Sequence, residues 1–227
     1  MKKHIENFKN SVKYIGFLKY DWEFHETTEF FVEALYLGYL DACRTFRGVK
    51  MDKDKVLGES AKALQKYFAD VACTNQKEFD KKHDEWCESI QCGFRSVGYT
   101  AKYGQAQKIV NMAFKYLYCC KKEKTLDYFR FCHMALDTYT LNWYRREINQ
   151  TVLPEWSKLD KEQYGNIQTA IFDKFGEGII EKEFVIWPDE IAIVAAEQLD
   201  KALDTLSGIK SEQLIKVLNS IREKTGG

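Results

Sequence analysis

Lys108, Asn111 and Lys115 stand at i, i+3 and i+7 within a segment of helical period, Gln105–Cys120, and so share one helix face. The apolar residues Ala106, Ile109, Val110, Ala113, Phe114 and Leu117 take another face. With a helix start near Gln105, Lys108 falls in the first turn. There the unsatisfied N–H groups and the helix dipole disfavour a further positive charge. A lysine so placed is expected to have a lowered pKa, which is what an amine nucleophile needs. The same spacing also suits a plain solvated face. Asp137 follows a short apolar approach, Met134–Leu136, and precedes Thr138, Tyr139 and a further helical stretch, so it is also a ready N-cap. His83, Cys87 and Cys92 have the spacing H-x3-C-x4-C without a fourth ligand and read as interior residues, so no metal is expected.

The elements that must position these residues are helical. The apolar period is near 3.6 almost throughout, and only 2 Pro interrupt 227 residues. Helices are expected over 4–15, from Glu26 or Thr27 to Phe46, and over Asp54–Ala69. Others are expected over Gln76–Cys92 (stopped by Gly93), Gln105–Cys120, Thr138–Asn149 and Lys161–Phe175. The last two run from Pro188 to Leu206 and over Ser211–Glu223. Ile179–Trp187 reads as a short extended piece. The expected fold is all-α, with about nine helices in one domain over 1–227, divisible into two lobes with the site in 101–150 between them.

Composition narrows the function classes. Lys+Arg and Asp+Glu are 34 each, charged residues make up 30%, and no apolar run approaches a bilayer span, so no membrane partner is expected. A hydrophobic share of 45% with 15% aromatic excludes a disordered chain. Seven cysteines without a C-x-x-C pair, and an N-terminus without an apolar core, point to a reduced, cytoplasmic protein. Neutrality argues against binding nucleic acid over the whole surface. The charge is unevenly spread, however. Residues 101–150 carry 9 basic and 4 acidic groups, and residues 151–227 carry 9 and 14. Any anion contact is therefore expected within 101–150.

Together, Gly104-Gln105-Ala106-Gln107-Lys108-Ile109-Val110-Asn111 and Ala135-Leu136-Asp137-Thr138-Tyr139 resemble the helix-hairpin-helix superfamily of DNA glycosylases. There, a glycine hairpin precedes a helix bearing Lys-x-x-Asn, and an apolar approach to a shared aspartate follows. The resemblance implies a two-lobed helical bundle that acts on double-stranded DNA without a cofactor; the oligomeric state is left open, with a monomer expected. It makes Lys108 the amine nucleophile and Asp137 the catalytic carboxylate. It gives Gly104, Gln107, Asn111, Lys115, Arg145 and Arg146 to DNA binding, with Lys102, Lys121, Lys122 and Lys124 as further phosphate contacts. It gives Tyr103, Tyr139 and Trp143 to the base pocket.

The implied reaction is excision of a damaged or modified base after base flipping, with a lyase step if Lys108 forms a Schiff base. A bulky modified base in phage DNA, and hence a defence role, is the substrate expected. This chain departs from the family pattern in three ways. Only Gly104 remains of the hairpin, Tyr139 stands two residues after the aspartate where the family has histidine, and the lysine-to-aspartate connection is lengthened over Cys120–Arg130. The rival reading is a non-catalytic helical module that binds nucleic acid or protein.

Overall fold

A computed structural model describes residues 1–12 and 21–207, together with positions 216 and 220. The chain is all-helical, with 74% of residues in helices and no strand among the described residues. Eight α-helices are described: α1 Lys2–Ser11, α2 Thr28–Ala42, α3 Lys53–Ala69, α4 Gln76–Ser96, α5 Tyr103–Cys119, α6 Thr138–Glu147, α7 Lys161–Phe175 and α8 Ile179–Ser207. The helix expected over Ser211–Glu223 lies outside the described residues save for positions 216 and 220. No described helix is long and apolar enough to cross a membrane.

Short polar side chains start most of these helices by accepting otherwise unpaired N–H groups. Thr27 accepts from Phe30, Asp52 from Lys55, Asn75 from Glu78 and Asp160 from Gln163. Helix α4 does not stop at Gly93. A Cβ there would lie 2.2 Å from the Val56 carbonyl oxygen, so Gly93 serves a close approach of α4 to α3. The helix ends instead at Ser96, with Val97 as its C-cap before Gly98 at φ +81.

Ile179–Trp187 is helical rather than extended, and Pro188 lies inside α8. Ile179, Ile180, Glu183 and Phe184 are buried there, at i, i+1, i+4 and i+5. That is the pattern of one helix face, hidden in the sequence by the aromatic and β-branched residues around it.

Two compact units are present, Met1–Trp187 and Pro188–Gly227. The division therefore falls at Pro188 and not around 101–150. The reason is α5, whose 17 residues are all buried and which forms the axis of the first unit. Helix α2 crosses it where Gly38 meets Ile109: a Cβ on Gly38 would lie 2.3 Å from the Ile109 carbonyl oxygen. An aromatic core built on Phe31, Tyr67, Phe68, Phe79, Trp86, Phe114 and Phe129 fills the space between α2, α3, α4 and α5. The connection 120–130 forms a 3-10 turn, Glu123–Phe129, that closes over this core. Tyr67 donates to the Tyr128 carbonyl at 2.8 Å, and Tyr128 donates to the Asp70 carbonyl at 2.6 Å.

Candidate functional site

The segment His133–Leu136 is buried but not helical, so its backbone groups need partners from elsewhere. Side chains supply them. Gln168 accepts from the Met134 N–H at 3.1 Å and donates to its carbonyl at 2.7 Å. Glu183 accepts from the Ala135 N–H at 2.9 Å, and Thr140 donates to the Ala135 carbonyl at 3.0 Å. Gln107 accepts from the Leu136 N–H and donates to its carbonyl. Asn111 donates to the Met134 carbonyl at 3.2 Å and to Tyr164 and Gln107, and its own carbonyl meets His83 at 2.9 Å. This cradle delivers Asp137 to the start of α6.

Asp137 uses its two carboxylate oxygens differently. Oδ1 caps α6, accepting from the Tyr139 and Thr140 N–H groups at 2.9 and 3.0 Å. Oδ2 accepts from Lys108 Nζ and from Trp187 Nε1, each at 2.9 Å. The capping role and a chemical role are therefore not alternatives.

Burial alone would raise the pKa of Asp137, but Lys108, the Thr140 N–H and Trp187 outweigh it and hold the carboxyl below its ordinary value. Lys108 follows the same logic with opposite sign. Burial would lower its pKa, but Asp137, Glu183 and Asp41 hold it above the ordinary value. Lys108 is therefore raised rather than lowered, for two reasons. Helix α5 begins at Tyr103, so Lys108 lies in the second turn, and a carboxylate faces it directly.

Lys108 and Asp137 line a cavity of about 470 Å³ within the first unit. Lys108, Met112, Lys115 and Tyr116 form its α5 wall, at i, i+4, i+7 and i+8. Phe8, Tyr139, Trp156 and Trp187 give it aromatic walls, and Asp41 and Arg44 approach from the end of α2. Lys115 is buried, bonds Glu183 at 2.8 Å, and stands 4.9, 5.0 and 5.6 Å from the ring centres of Phe8, Phe184 and Trp187. Tyr139 and Trp187 meet edge to face with centres 5.8 Å apart.

The structure thus brings Lys108, Asp137, Lys115 and Tyr139 together. Other expected site residues stand elsewhere. Gly104 donates its N–H to the Leu159 carbonyl at 2.9 Å, and a Cβ there would lie 2.0 Å from the Trp156 carbonyl oxygen. It permits a close backbone approach and has no N–H left for a phosphate. Gln107 and Asn111 are interior and hold the His133–Leu136 segment, while Lys115, on the cavity wall, is paired with Glu183. Tyr103 bonds Asp84, and Trp143 stacks on Phe175, so neither is a wall of this cavity.

Arg145 lines an adjoining cavity of about 410 Å³ that shares Thr138 and Trp156 with the first. Arg146 pairs with Glu147 at 3.0 Å at the surface. Lys121 and Lys124 pair with Glu181 and Glu26. Sequence reasoning missed Trp187, Asp41 and Glu183. Trp187 was hidden by the extended reading of its segment. Asp41 carried a signal, as an acidic residue in the last turn of a helix, where the dipole disfavours it.

The site is a buried amine and carboxylate on the wall of an aromatic cavity. No known protein family, no curated protein and no solved structure matches the chain.

Proposed function

We propose that the protein is a DNA glycosylase that draws a damaged or modified base into the cavity lined by Lys108 and Asp137. The observation that carries this reading is the 2.9 Å pairing of a buried amine with a buried carboxylate on the wall of an aromatic cavity of about 470 Å³. A flipped base needs stacking surfaces, which Tyr139, Trp156 and Trp187 offer. Bond breaking at C1′ builds positive charge on the sugar, and an ionised Asp137 stabilises it. At rest the amine is a protonated partner of Asp137, so entry of the nucleotide must part the two groups. The neutral amine then attacks C1′. The N–C1′ bond forms, the bond from C1′ to the base breaks, and the base leaves with the electron pair and takes up a proton. One proton passes from the new ammonium to O4′ as the sugar ring opens, leaving a protonated Schiff base on Lys108. The cavity volume suits a bulky base, as in modified phage DNA, and a defence role follows from that substrate.

A second reading, a helical partner-binding module, draws on the exposed Ile193, Leu199 and Leu203 of α8 beyond Pro188. The two separate on one assay. Duplexes carrying damaged or modified bases, including glucosylated phage DNA, are incubated with the protein and borohydride. A covalent adduct that Lys108→Ala abolishes is expected. Absence of both base release and adduct across the panel would leave only the binding module.

A further inference from the structure

Two carboxylates reach the cavity, and their surroundings push them in opposite directions. Asp137 is held low by Lys108, the Thr140 N–H and Trp187 against the effect of burial. Surrounding protein raises Asp41, although solvent reaches it, and only Lys108, the Tyr116 hydroxyl and Lys115 oppose that rise. Paired acids tuned apart in this way commonly divide the acid and base roles of a reaction.

The placement of Asp41 is specific. Gly38 fixes α2 against Ile109 of α5, and Asp41 stands three residues further along α2. Tyr116 of α5 donates to Asp41 Oδ2 at 2.8 Å. Asp41 also sits in the last turn of α2, where the helix dipole works against a negative charge. A residue that breaks a local rule and faces a buried amine across a cavity is a candidate for function.

We propose that Asp41 is the proton acceptor that frees the Lys108 amine. The ammonium cannot attack, and Asp137 cannot both take its proton and remain the anion that stabilises the sugar. When the pair is parted, one N–H bond of Lys108 breaks, its proton moves to the Asp41 carboxylate, and the electron pair stays on Nζ for attack. The charged groups facing Asp41 are Lys108, Asp137 and Lys115 within the cavity and Arg44 on its own side, with Tyr116 as hydrogen-bond donor. The substrate in this scheme rests on the glycosylase reading. The amine chemistry does not need it.

The test is therefore made first without DNA. The full chain is treated with a small aldehyde and cyanoborohydride over a range of pH, and alkylation of Lys108 is followed by peptide mass spectrometry. Transfer from Lys108 to Asp41 leaves the total proton count unchanged, so the neutral amine fraction is independent of pH between the pKa of Asp41 beside the ammonium and its higher pKa beside the neutral amine; above that window the wild type also loses the proton to solvent. The wild-type rate at Lys108 is expected to show a flat window and to climb about tenfold per pH unit above it. Asp41→Asn must lose the proton to solvent, and its rate is expected to climb about tenfold per pH unit, the slope of a single ionisation. Asp41→Glu is expected to restore the flat window.

A flat profile in Asp41→Asn would assign the acceptor role to Asp137 and overturn the proposal. So would a wild-type profile that climbs at every pH with no flat window, or no adduct on Lys108 at any pH. Borohydride trapping on modified duplexes, run in parallel, separates the two ideas. Failure of trapping with the pH signature intact sinks the glycosylase reading and leaves the Asp41–Lys108 exchange standing.

Discussion

Gln107 grips Leu136 by both backbone groups, accepting from its N–H at 3.3 Å and donating to its carbonyl at 3.1 Å, one residue ahead of Asp137. A side chain here does the work of a neighbouring strand. Gln107→Leu keeps the volume but strands the two groups of Leu136, while the Asn111 amide keeps Met134 and Tyr164 as acceptors. Each buried group left without a partner costs about 1–3 kcal/mol. Urea denaturation is expected to show a loss within that range or above it, together with faster amide exchange at Leu136. An unchanged midpoint would mean that water or a rearranged Asn111 replaces the grip.

The Lys108–Asp137 pair should be strongly asymmetric under mutation. Removing one partner of a buried ion pair leaves an unpaired charge and costs about 3–5 kcal/mol, while replacing both with apolar groups is often near neutral. Lys108→Met and Asp137→Asn are each expected to destabilise. Asp137→Asn should be the milder for the cap, since its Oδ1 can still accept from Tyr139 and Thr140. The double variant Lys108→Met/Asp137→Asn should recover stability relative to Asp137→Asn alone. Strict additivity of the two losses in a thermal or urea cycle would show that the groups do not interact in solution.

How much of this was legible in the sequence depends on the range of the interaction. Helix α7 starts and stops where its Asp160 cap and apolar period place it, and Asp137 heads α6 as its residue type suggests. These are local effects. The burial of α5 on every side was not legible, because Gln105, Gln107, Lys108, Asn111 and Lys115 look like a solvated face. Their partners lie far along the chain: Asp137 is 29 residues from Lys108, and Glu183 is 68 from Lys115. A periodic pattern reports whether a residue is polar, not whether the fold provides a partner for it. The same limit misassigned Gly104 and Gly93, since a glycine that permits close packing is indistinguishable in sequence from one that ends a helix.

Two glycines on helices that pack together should respond oppositely to alanine. At Gly38 a Cβ would meet the Ile109 carbonyl oxygen at 2.3 Å, and backbone cannot yield cheaply. Overpacking of this kind costs about 1–3 kcal/mol. At Gly58, inside α3, nothing lies within 4 Å of the added carbon. Alanine there should stabilise by about 1 kcal/mol through helix propensity. Thermal melts of the two variants check this directly. A neutral Gly38→Ala would contradict the packing of α2 on α5, and a destabilised Gly58→Ala would contradict the open space beside α3.

Finally, the site should write its signature on the pH dependence of stability. Asp137 is lowered in the folded state, so its contribution is present above the unfolded carboxyl pKa of about 3.9 and fades as pH falls through the lower folded value. Trp187 is one of the groups that hold it there. Trp187→Phe keeps an aromatic ring beside Tyr139 but removes the donor, so the part of its stability that is lost in acid should be smaller than in the wild type and should be exhausted at higher pH. Lys108 is raised, so its contribution is present below the unfolded pKa of about 10.4 and is lost as pH rises through the folded value. The buried hydroxyls of Tyr67, Tyr103 and Tyr164, which burial raises as well, are also stabilising until alkaline pH. The wild-type curve alone therefore does not isolate the lysine. The difference between wild type and Lys108→Met does, because the tyrosines are common to both. That difference is expected to be constant through neutral pH and to shrink only in the alkaline range. A difference that shrinks already near pH 7 would mean that Lys108 is neutral in the resting protein and that Asp137 does not hold its proton in place.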